Sequence, residues 1–155
     1  MTEFEYSESI TIDASPDEVY DLVSDVTRTG EWSPVCRECI WNDGGAPRVG
    51  ATFTGRNEDS GRTWETTSRV DVARRGHEFA WIVGDGYARW AYMLRPVEDG
   101  TELTESWQFR EAGRDVFRTR YGDDAQAQIE NRTRAARTGV PATLAAIKKI
   151  AESGA

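Results

Sequence analysis

The sequence predicts an α+β fold in which a curved antiparallel sheet of seven strands packs around one long C-terminal helix. Residues 38–110 form a run of short alternating segments separated by hairpin signals, and residues 123–152 carry apolar side chains at helical spacing. A strand and a short helix precede this run, and short turns favour antiparallel neighbours. The 155 residues show no internal repeat or linker, which indicates one domain over residues 1–155.

Charge and composition exclude two classes of partner. The net charge is −8, with 27 acidic against 19 basic residues and no basic run, so nucleic-acid phosphates and anionic membrane surfaces are repelled. Residues 1–6 lack the basic start and apolar stretch of a signal peptide, and no segment is long enough to span a bilayer. We therefore expect a cytoplasmic protein whose partner is neither nucleic acid nor a membrane.

The first strand and the first helix are predicted by a change of hydrophobic period. Residues 4–12 alternate between apolar and polar side chains, as in a half-buried strand. Ser15, Pro16 and Glu18 then combine an N-cap, a proline at the first helical position and an acid that can bond back to the cap. The apolar stripe that follows consists of Val19, Leu22, Val23 and Val26. A short helix that ends before Gly30 is the result.

Six further strands are predicted between residues 38 and 110 by hairpin signals and by clean alternation. The turn signals are Asp43-Gly44-Gly45, Glu58-Asp59-Ser60-Gly61, Arg75-Gly76, Gly84-Asp85-Gly86 and Glu98-Asp99-Gly100. The positions predicted to share the apolar face are Trp64, Thr66, Ser68, Val70 and Val72 in one strand, and Phe79, Trp81, Val83, Trp90, Tyr92, Leu94, Leu103, Glu105, Trp107 and Phe109 in three others. One face of the sheet is therefore aromatic, and the other is polar.

The last third of the chain predicts a helix from Asp123 to Glu152, after a loop that contains Gly113 and Gly122. Its apolar positions are Ile129, Ala136, Val140, Leu144, Ile147 and Ala151. This stripe is expected to dock on the aromatic sheet face. Pro141 is expected to bend or break the helix, because it cannot donate a hydrogen bond and crowds the carbonyl four residues back.

The order of these elements and several short motifs resemble the START-like or SRPBCC proteins, often labelled polyketide cyclase/dehydrase. The motifs are Ile12-Asp13-Ala14-Ser15-Pro16-Asp17-Glu18-Val19-Tyr20, Trp32-Ser33-Pro34, Gly50-Ala51-Thr52-Phe53-Thr54-Gly55-Arg56-Asn57, Phe79-Ala80-Trp81, Gly100-Thr101-Glu102-Leu103-Thr104-Glu105, and Thr143-Leu144 through Lys148-Lys149. The resemblance implies a helix-grip fold with a cavity for a hydrophobic ligand. It implies no single reaction, since members of the superfamily include carriers, aromatase/cyclases and chaperone activators.

The predicted ligand site is the aromatic face of the sheet. Six Trp, five Tyr and five Phe are many large rings for a chain of 38% hydrophobic residues. The predicted ligand-binding residues are Phe53, Trp64, Thr66, Ser68, Phe79, Trp81, Trp90, Tyr92, Glu105 and Trp107. Ordinary core packing is the alternative for each ring, and a hydrogen bond within the protein is the alternative for each hydroxyl. A bent sheet closed by a single helix favours a cavity, because side chains cannot fill its wide end.

Glu105 is the most informative single residue, because it interrupts an apolar strand face between Leu103 and Trp107. A carboxylate in such a place needs a partner or a function. One interpretation is that a hydroxyl or an arginine satisfies it. The other is that it faces the cavity, where it binds a ligand hydroxyl or, if the protein is an enzyme, acts as general acid or base together with Tyr92.

Other reactive residues carry weaker signals. Cys36 and Cys39 form a single C-x-x-C, which without a second pair or a βαβ context is interpreted as two reduced, ordinary cysteines. His77 is interpreted as a turn or edge residue, and Asn57 either as a turn residue or as part of the cavity mouth. No phosphate-binding glycine loop, Ser-His-Asp set or metal-spaced cluster is visible, so no cofactor and no metal are predicted.

Three functions remain open from the sequence. The first is a carrier or sensor of a small hydrophobic or aromatic molecule, with apolar walls and one polar anchor. The second is a polyketide cyclase or dehydratase, which needs at least two polar groups converging in the pocket. The third is an interaction module of the chaperone-activator kind, with a filled cavity and an exposed apolar patch.

Overall fold

A computed structural model, which describes residues 2–154, contains seven strands, three α-helices and two short 3₁₀ helices. The strands are β1 (Glu5–Ile12), β2 (Cys36–Trp41), β3 (Thr52–Asp59), β4 (Arg62–Arg74), β5 (Glu78–Val83), β6 (Ala88–Val97) and β7 (Gly100–Phe109). The helices are α1 (Pro16–Val23), α2 (Glu111–Tyr121) and α3 (Ala125–Ser153), and the 3₁₀ segments are Val26–Glu31 and Gly122–Asp124.

The strands form one antiparallel sheet in the order β1-β7-β6-β5-β4-β3-β2. Each neighbouring pair from β2 to β7 is joined by a hairpin, as the turn signals predict, and β1 returns to pair with β7. The sheet curves around α3, which lies mainly over β1 and β7. The predicted α+β helix-grip fold, with short helices after the first strand, is confirmed.

The N-terminus of α1 has the capping box that the sequence predicts. The Ser15 hydroxyl accepts a hydrogen bond from the Glu18 amide at 3.2 Å, and the Glu18 carboxylate accepts one from the Ser15 amide at 3.4 Å. Together these bonds satisfy two backbone donors that the helix itself leaves free. The opposite side of α1 buries Val19, Leu22 and Val23 in the core.

A β-bulge corrects the predicted face of one residue. The register between β4 and β5 shifts between Val70 and Val72, so that Val70 pairs with Trp81 but Val72 pairs with Ala80. The sequence prediction that Val72 shares the aromatic face is therefore wrong, and Ala73, opposite Phe79, takes that place. A bulge adds one residue to a strand and reverses the alternation beyond it.

The C-terminal helix corrects a second prediction. α3 runs from Ala125 to Ser153 without a break, with Pro141 inside it. Of the two expected effects of Pro141, a break into two helices is wrong, and a bend at this position stays a prediction. Both Pro141 and Arg137, whose carbonyl loses its intrahelical partner, lie on the exposed side, where water can solvate that carbonyl.

A third correction concerns the segment before α3, where the sequence predicts a loop. Residues 111–121 form α2, which packs Phe117 edge-on against Phe109 with ring centroids 5.2 Å apart. Gly113 permits this approach, since a Cβ there would lie 2.5 Å from the Tyr87 carbonyl oxygen. Tertiary packing stabilises this helix, whose composition is strongly polar. No helix within residues 2–154 is long and apolar enough to cross a membrane.

Candidate functional site

A continuous row of aromatic rings crosses the concave face of the sheet. The register places Trp81 opposite Trp90, and Trp90 opposite Trp107. The Trp81 and Trp90 rings stack with centroids 6.3 Å apart, and Trp90 and Trp107 lie 6.4 Å apart. Phe53 meets Trp81 at 6.1 Å on one side of the row, and Phe109 meets Trp107 at 6.1 Å on the other. These strands bring distant parts of the chain onto one aromatic surface.

The concave face is buried at one end and partly exposed at the other. α1 and the Val26–Glu31 segment cover the first end, where Phe53, Phe79, Ser68 and Tyr92 are at most 5% exposed. Trp107, which is 5% exposed, is buried instead in a cluster with Ile129 and Ala136 of α3. The other predicted ligand-binding residues, which are partly exposed, are Trp64, Thr66, Trp81 and Trp90. Because α3 lies mainly over β1 and β7, these residues are less covered by it; we call this less covered part of the concave face the cleft. Partly exposed rings on an inward face are the expected lining of a ligand cleft.

Glu105 lies on this face in the packed interior and is 4% exposed. Its Oε1 atom is buried and has no hydrogen-bond partner among the described residues. Burial raises the pKa of the Glu105 carboxyl to about 8, although a hydrogen bond from Tyr92 acts in the opposite direction. The carboxyl is therefore mostly protonated at neutral pH, in which state it can both donate and accept a hydrogen bond.

Tyr92 is paired directly with Glu105 across β6 and β7. Burial and the negative charge of Glu105 raise the pKa of the Tyr92 hydroxyl well above its ordinary value, while a hydrogen bond with Trp32 lowers it. Two polar groups thus converge in an apolar interior. Trp32, which is 5% exposed, joins these two groups through its hydrogen bond with Tyr92, although the sequence pattern assigned it no role at the site.

Thr66 and Asn57 satisfy each other near the cleft. The Asn57 side-chain amide donates to the Thr66 hydroxyl at 3.3 Å and to the Trp64 carbonyl at 3.4 Å. Asn57 therefore belongs to β3 and not to the turn after it. His77 is exposed, and its amide donates to the Arg74 carbonyl at 2.9 Å in the turn between β4 and β5, which agrees with a turn role.

Cys36 and Cys39 are brought together by a second bulge, between Cys36 and Glu38 in β2. Their sulfur atoms lie 3.2 Å apart, and both cysteines are free thiols. The hydrogen bond from Cys39 lowers the pKa of the Cys36 thiol, and the same bond and burial raise that of Cys39. Gly55 leaves room for them, since a Cβ there would lie 3.4 Å from the Cys39 sulfur.

We predict that Cys36 is alkylated much faster than Cys39. Cys36 is partly exposed with a lowered pKa, whereas Cys39 is 6% exposed with a raised pKa, and the thiolate is the reactive form. Iodoacetamide at pH 7 with peptide mass spectrometry measures the two rates. The Cys39→Ala variant is the matched test, because loss of the donor at this position should raise the pKa of Cys36 and slow its alkylation. Equal rates in the native protein would contradict the asymmetry.

A cluster at the wide end of the cleft was missed by the sequence analysis. The Arg132 guanidinium stacks on Trp64 at 4.4 Å from the ring centroid and lies 5.3 Å from that of Phe117. The Arg62 guanidinium donates to the Tyr121 hydroxyl at 3.0 Å. The signal was available, since Arg132 occupies a position three residues after Ile129 and four before Ala136, on the buried stripe of α3.

Outside the aromatic face, the described chain has two surface grooves and no metal-binding cluster. Within residues 2–154, no three His, Cys, Asp or Glu side chains are grouped so as to hold a metal ion. A surface groove of about 770 Å³ lies between β1 and the end of α3, and another of about 830 Å³ lies near the start of α2. Neither groove contains a predicted ligand-binding residue.

The comparison with protein families matches residues 3–137 to the family described as polyketide cyclase / dehydrase and lipid transport. The chain belongs to this family. A search of curated proteins found no match. Many solved structures share the fold of this chain.

Three of those structures differ widely in their sequence identity to this chain. The Polyketide_cyc-like protein Cgl2372 from Corynebacterium glutamicum has 50% sequence identity and a TM-score of 0.72, with 97% of this chain and 93% of that chain covered. The KanY protein has 18% identity and a TM-score of 0.71, with coverages of 98% and 99%. The di-domain ARO/CYC StfQ, from the steffimycin biosynthetic pathway, has 12% identity and a TM-score of 0.70; the match covers 97% of this chain but only 51% of StfQ.

Proposed function

We propose that this member of the polyketide cyclase / dehydrase family binds a small hydrophobic or aromatic molecule in the cleft between the concave sheet face and α3, as a carrier or sensor. The observation that supports it most is the Glu105 carboxyl, whose Oε1 atom is buried without a partner on the concave face. Leaving such an atom unsatisfied costs about 1–3 kcal/mol, which a ligand hydroxyl would recover.

The partly exposed rings supply the second argument. Trp81 and Trp90 stack on an inward face, yet neither is fully buried. A buried aromatic side chain loses roughly 200 Å² of surface, and each Å² of apolar area contributes about 25 cal/mol. A flat aromatic ligand against these indoles would therefore gain several kcal/mol, at the order-of-magnitude level. Shape and apolar area set the affinity, and Glu105 sets the orientation.

We predict that 2-naphthol binds more tightly than 2-methylnaphthalene, which has the same shape but no polar group. The Glu105→Leu variant should lose about 1–3 kcal/mol of affinity for 2-naphthol, which is about 5- to 150-fold, and should bind 2-methylnaphthalene nearly unchanged. Isothermal titration calorimetry measures both. Glu102→Leu, on the opposite face of the same strand, is the matched control. If neither 2-naphthol nor 2-methylnaphthalene binds, the proposed aromatic site is excluded.

A second candidate function is a cyclase or dehydratase reaction in the same cleft. The convergence of Tyr92 and Glu105 favours it, because a carboxyl with a pKa of about 8 can give up and take back a proton near neutral pH. Glu105 would move the proton, and Tyr92 would hold the reacting oxygen. A poly-β-keto thioester incubated with the protein would then lose water, whereas a carrier would return it unchanged.

A further inference from the structure

Two arginines meet at the wide end of the cleft, where α3 approaches the tip of the β3–β4 hairpin. Arg132 comes from α3 and stacks on Trp64 of β4, and Arg62 comes from the first position of β4. Arg62 also donates a hydrogen bond to Gln128 of α3, so this bond connects the β3–β4 hairpin to α3. The cluster therefore lies next to Trp64, one of the partly exposed rings of the concave face.

Neither guanidinium has a carboxylate partner. Among the described residues, no carboxylate oxygen lies within the 4.0 Å ion-pair distance of Arg62 or Arg132, whereas exposed arginines such as Arg75 and Arg95 form ion pairs. Asp59 is the acidic residue whose charge acts on Arg132, and it lies beyond that distance. Arg132 donates a hydrogen bond to the Asn131 side-chain oxygen at 2.7 Å, and a hydrogen bond with the Tyr121 side chain also acts on it. Most of its five N–H donors therefore remain available.

The electrostatics of the neighbouring tyrosine support a positive site. Burial alone would raise the pKa of the Tyr121 hydroxyl, yet the hydrogen bond from Arg62 and the charges of Arg62 and Arg132 lower it. Burial also lowers the pKa of Arg132 itself, because a half-buried cation loses hydration. An uncompensated, partly desolvated cation beside an apolar cleft is stabilised by an anion that enters with its apolar part in that cleft.

We propose that Arg132 and Arg62 bind the carboxylate of an aromatic acid whose ring lies in the cleft. This inference rests on the proposed function and narrows the ligand class to amphipathic aromatic anions. Trp64 and Phe117 lie next to the Arg132 guanidinium and position it, and its N–H groups suit a bidentate contact with a carboxylate. The site selects the anion locally, although the whole chain carries a net charge of −8.

The test compares 2-naphthoate with 2-naphthamide, which share ring and shape but differ in charge. The native protein should bind 2-naphthoate about tenfold or more tightly than 2-naphthamide in calorimetric titrations at pH 7 and low salt. Arg132→Gln should reduce this preference to about twofold or less, and added salt should reduce it in the native protein. Arg134→Gln, an exposed arginine on α3, is the matched control and should leave the preference unchanged.

The outcomes separate this inference from the proposed function. If both compounds bind the native protein equally, the arginine site is wrong while the cleft proposal stands. If neither binds, the proposed function itself fails. If Arg132→Gln does not fold, Arg62→Gln decides: a preserved preference in that variant overturns the paired site, and a loss of about threefold or more supports it.

Discussion

Deletion of residues 123–155 will leave a chain that aggregates and shows no cooperative unfolding. The deleted segment contains α3, whose buried residues are Ala125, Ile129, Ala136, Val140, Thr143, Leu144 and Ile147. Leu144 is 2% exposed and Ile147 is fully buried. Removal of one such side chain costs about 2–5 kcal/mol, and the whole stability of a domain is about 5–15 kcal/mol. Loss of the complete stripe therefore exceeds what the sheet can supply.

The same expectation can be tested at a single position in the full chain. Leu144→Ala should lower the free energy of unfolding by about 2–5 kcal/mol in urea titrations, because α3 cannot collapse onto the space left beside the sheet. Lys149→Ala, on the exposed side of the same helix, should change it by less than about 0.5 kcal/mol. A deletion fragment that stays soluble and melts cooperatively would show that the aromatic face has another cover.

Glu105→Gln will stabilise the protein at alkaline pH and leave it nearly unchanged in acid. The pKa of Glu105 is raised from 4.5 to about 8 in the folded protein, so the folded state holds this proton more tightly than the unfolded chain does. The native protein therefore loses stability as pH rises from 4.5 to about 8. Each pH unit in that window costs up to about 1.4 kcal/mol, so the total loss is at most about 5 kcal/mol. A glutamine at position 105 stays neutral at every pH, so the Glu105→Gln variant does not lose this stability.

The measurement is the difference in free energy of unfolding between native protein and variant at pH 5, 7 and 8.5. The difference should be small at pH 5 and grow to several kcal/mol in favour of Glu105→Gln at pH 8.5. Glu102→Gln, which removes an ion pair with Arg95 on the outer face, is the matched control and should show no such growth. A Glu105→Gln variant that is less stable at pH 8.5 would mean that Glu105 has a cationic partner, contrary to the structure.

Local signals in the sequence determined most of the scaffold. The capping box at Ser15, the hairpin glycines and the alternation of Trp90, Tyr92 and Leu94 depend on neighbouring residues only, and the structure agrees with each. The inward position of Glu105 followed from the same alternation. Two predictions failed for local reasons. α2 is too polar to be recognised as a helix that packs on the core, and the bulge before Val72 leaves no mark in the hydrophobic pattern.

The sequence by itself determined the fold class, the aromatic face and the buried acid, because period and turn chemistry act over a few residues. Only the tertiary structure decided that Glu105 has Tyr92 beside it and no arginine, and that Arg132 stacks on Trp64 at the far end of the cleft. Those facts depend on pairs separated by many residues, whose meeting is set by sheet register and by where α3 docks. The pKa of a buried group and the charge of a cleft are properties of that assembly, since both depend on what excludes water there.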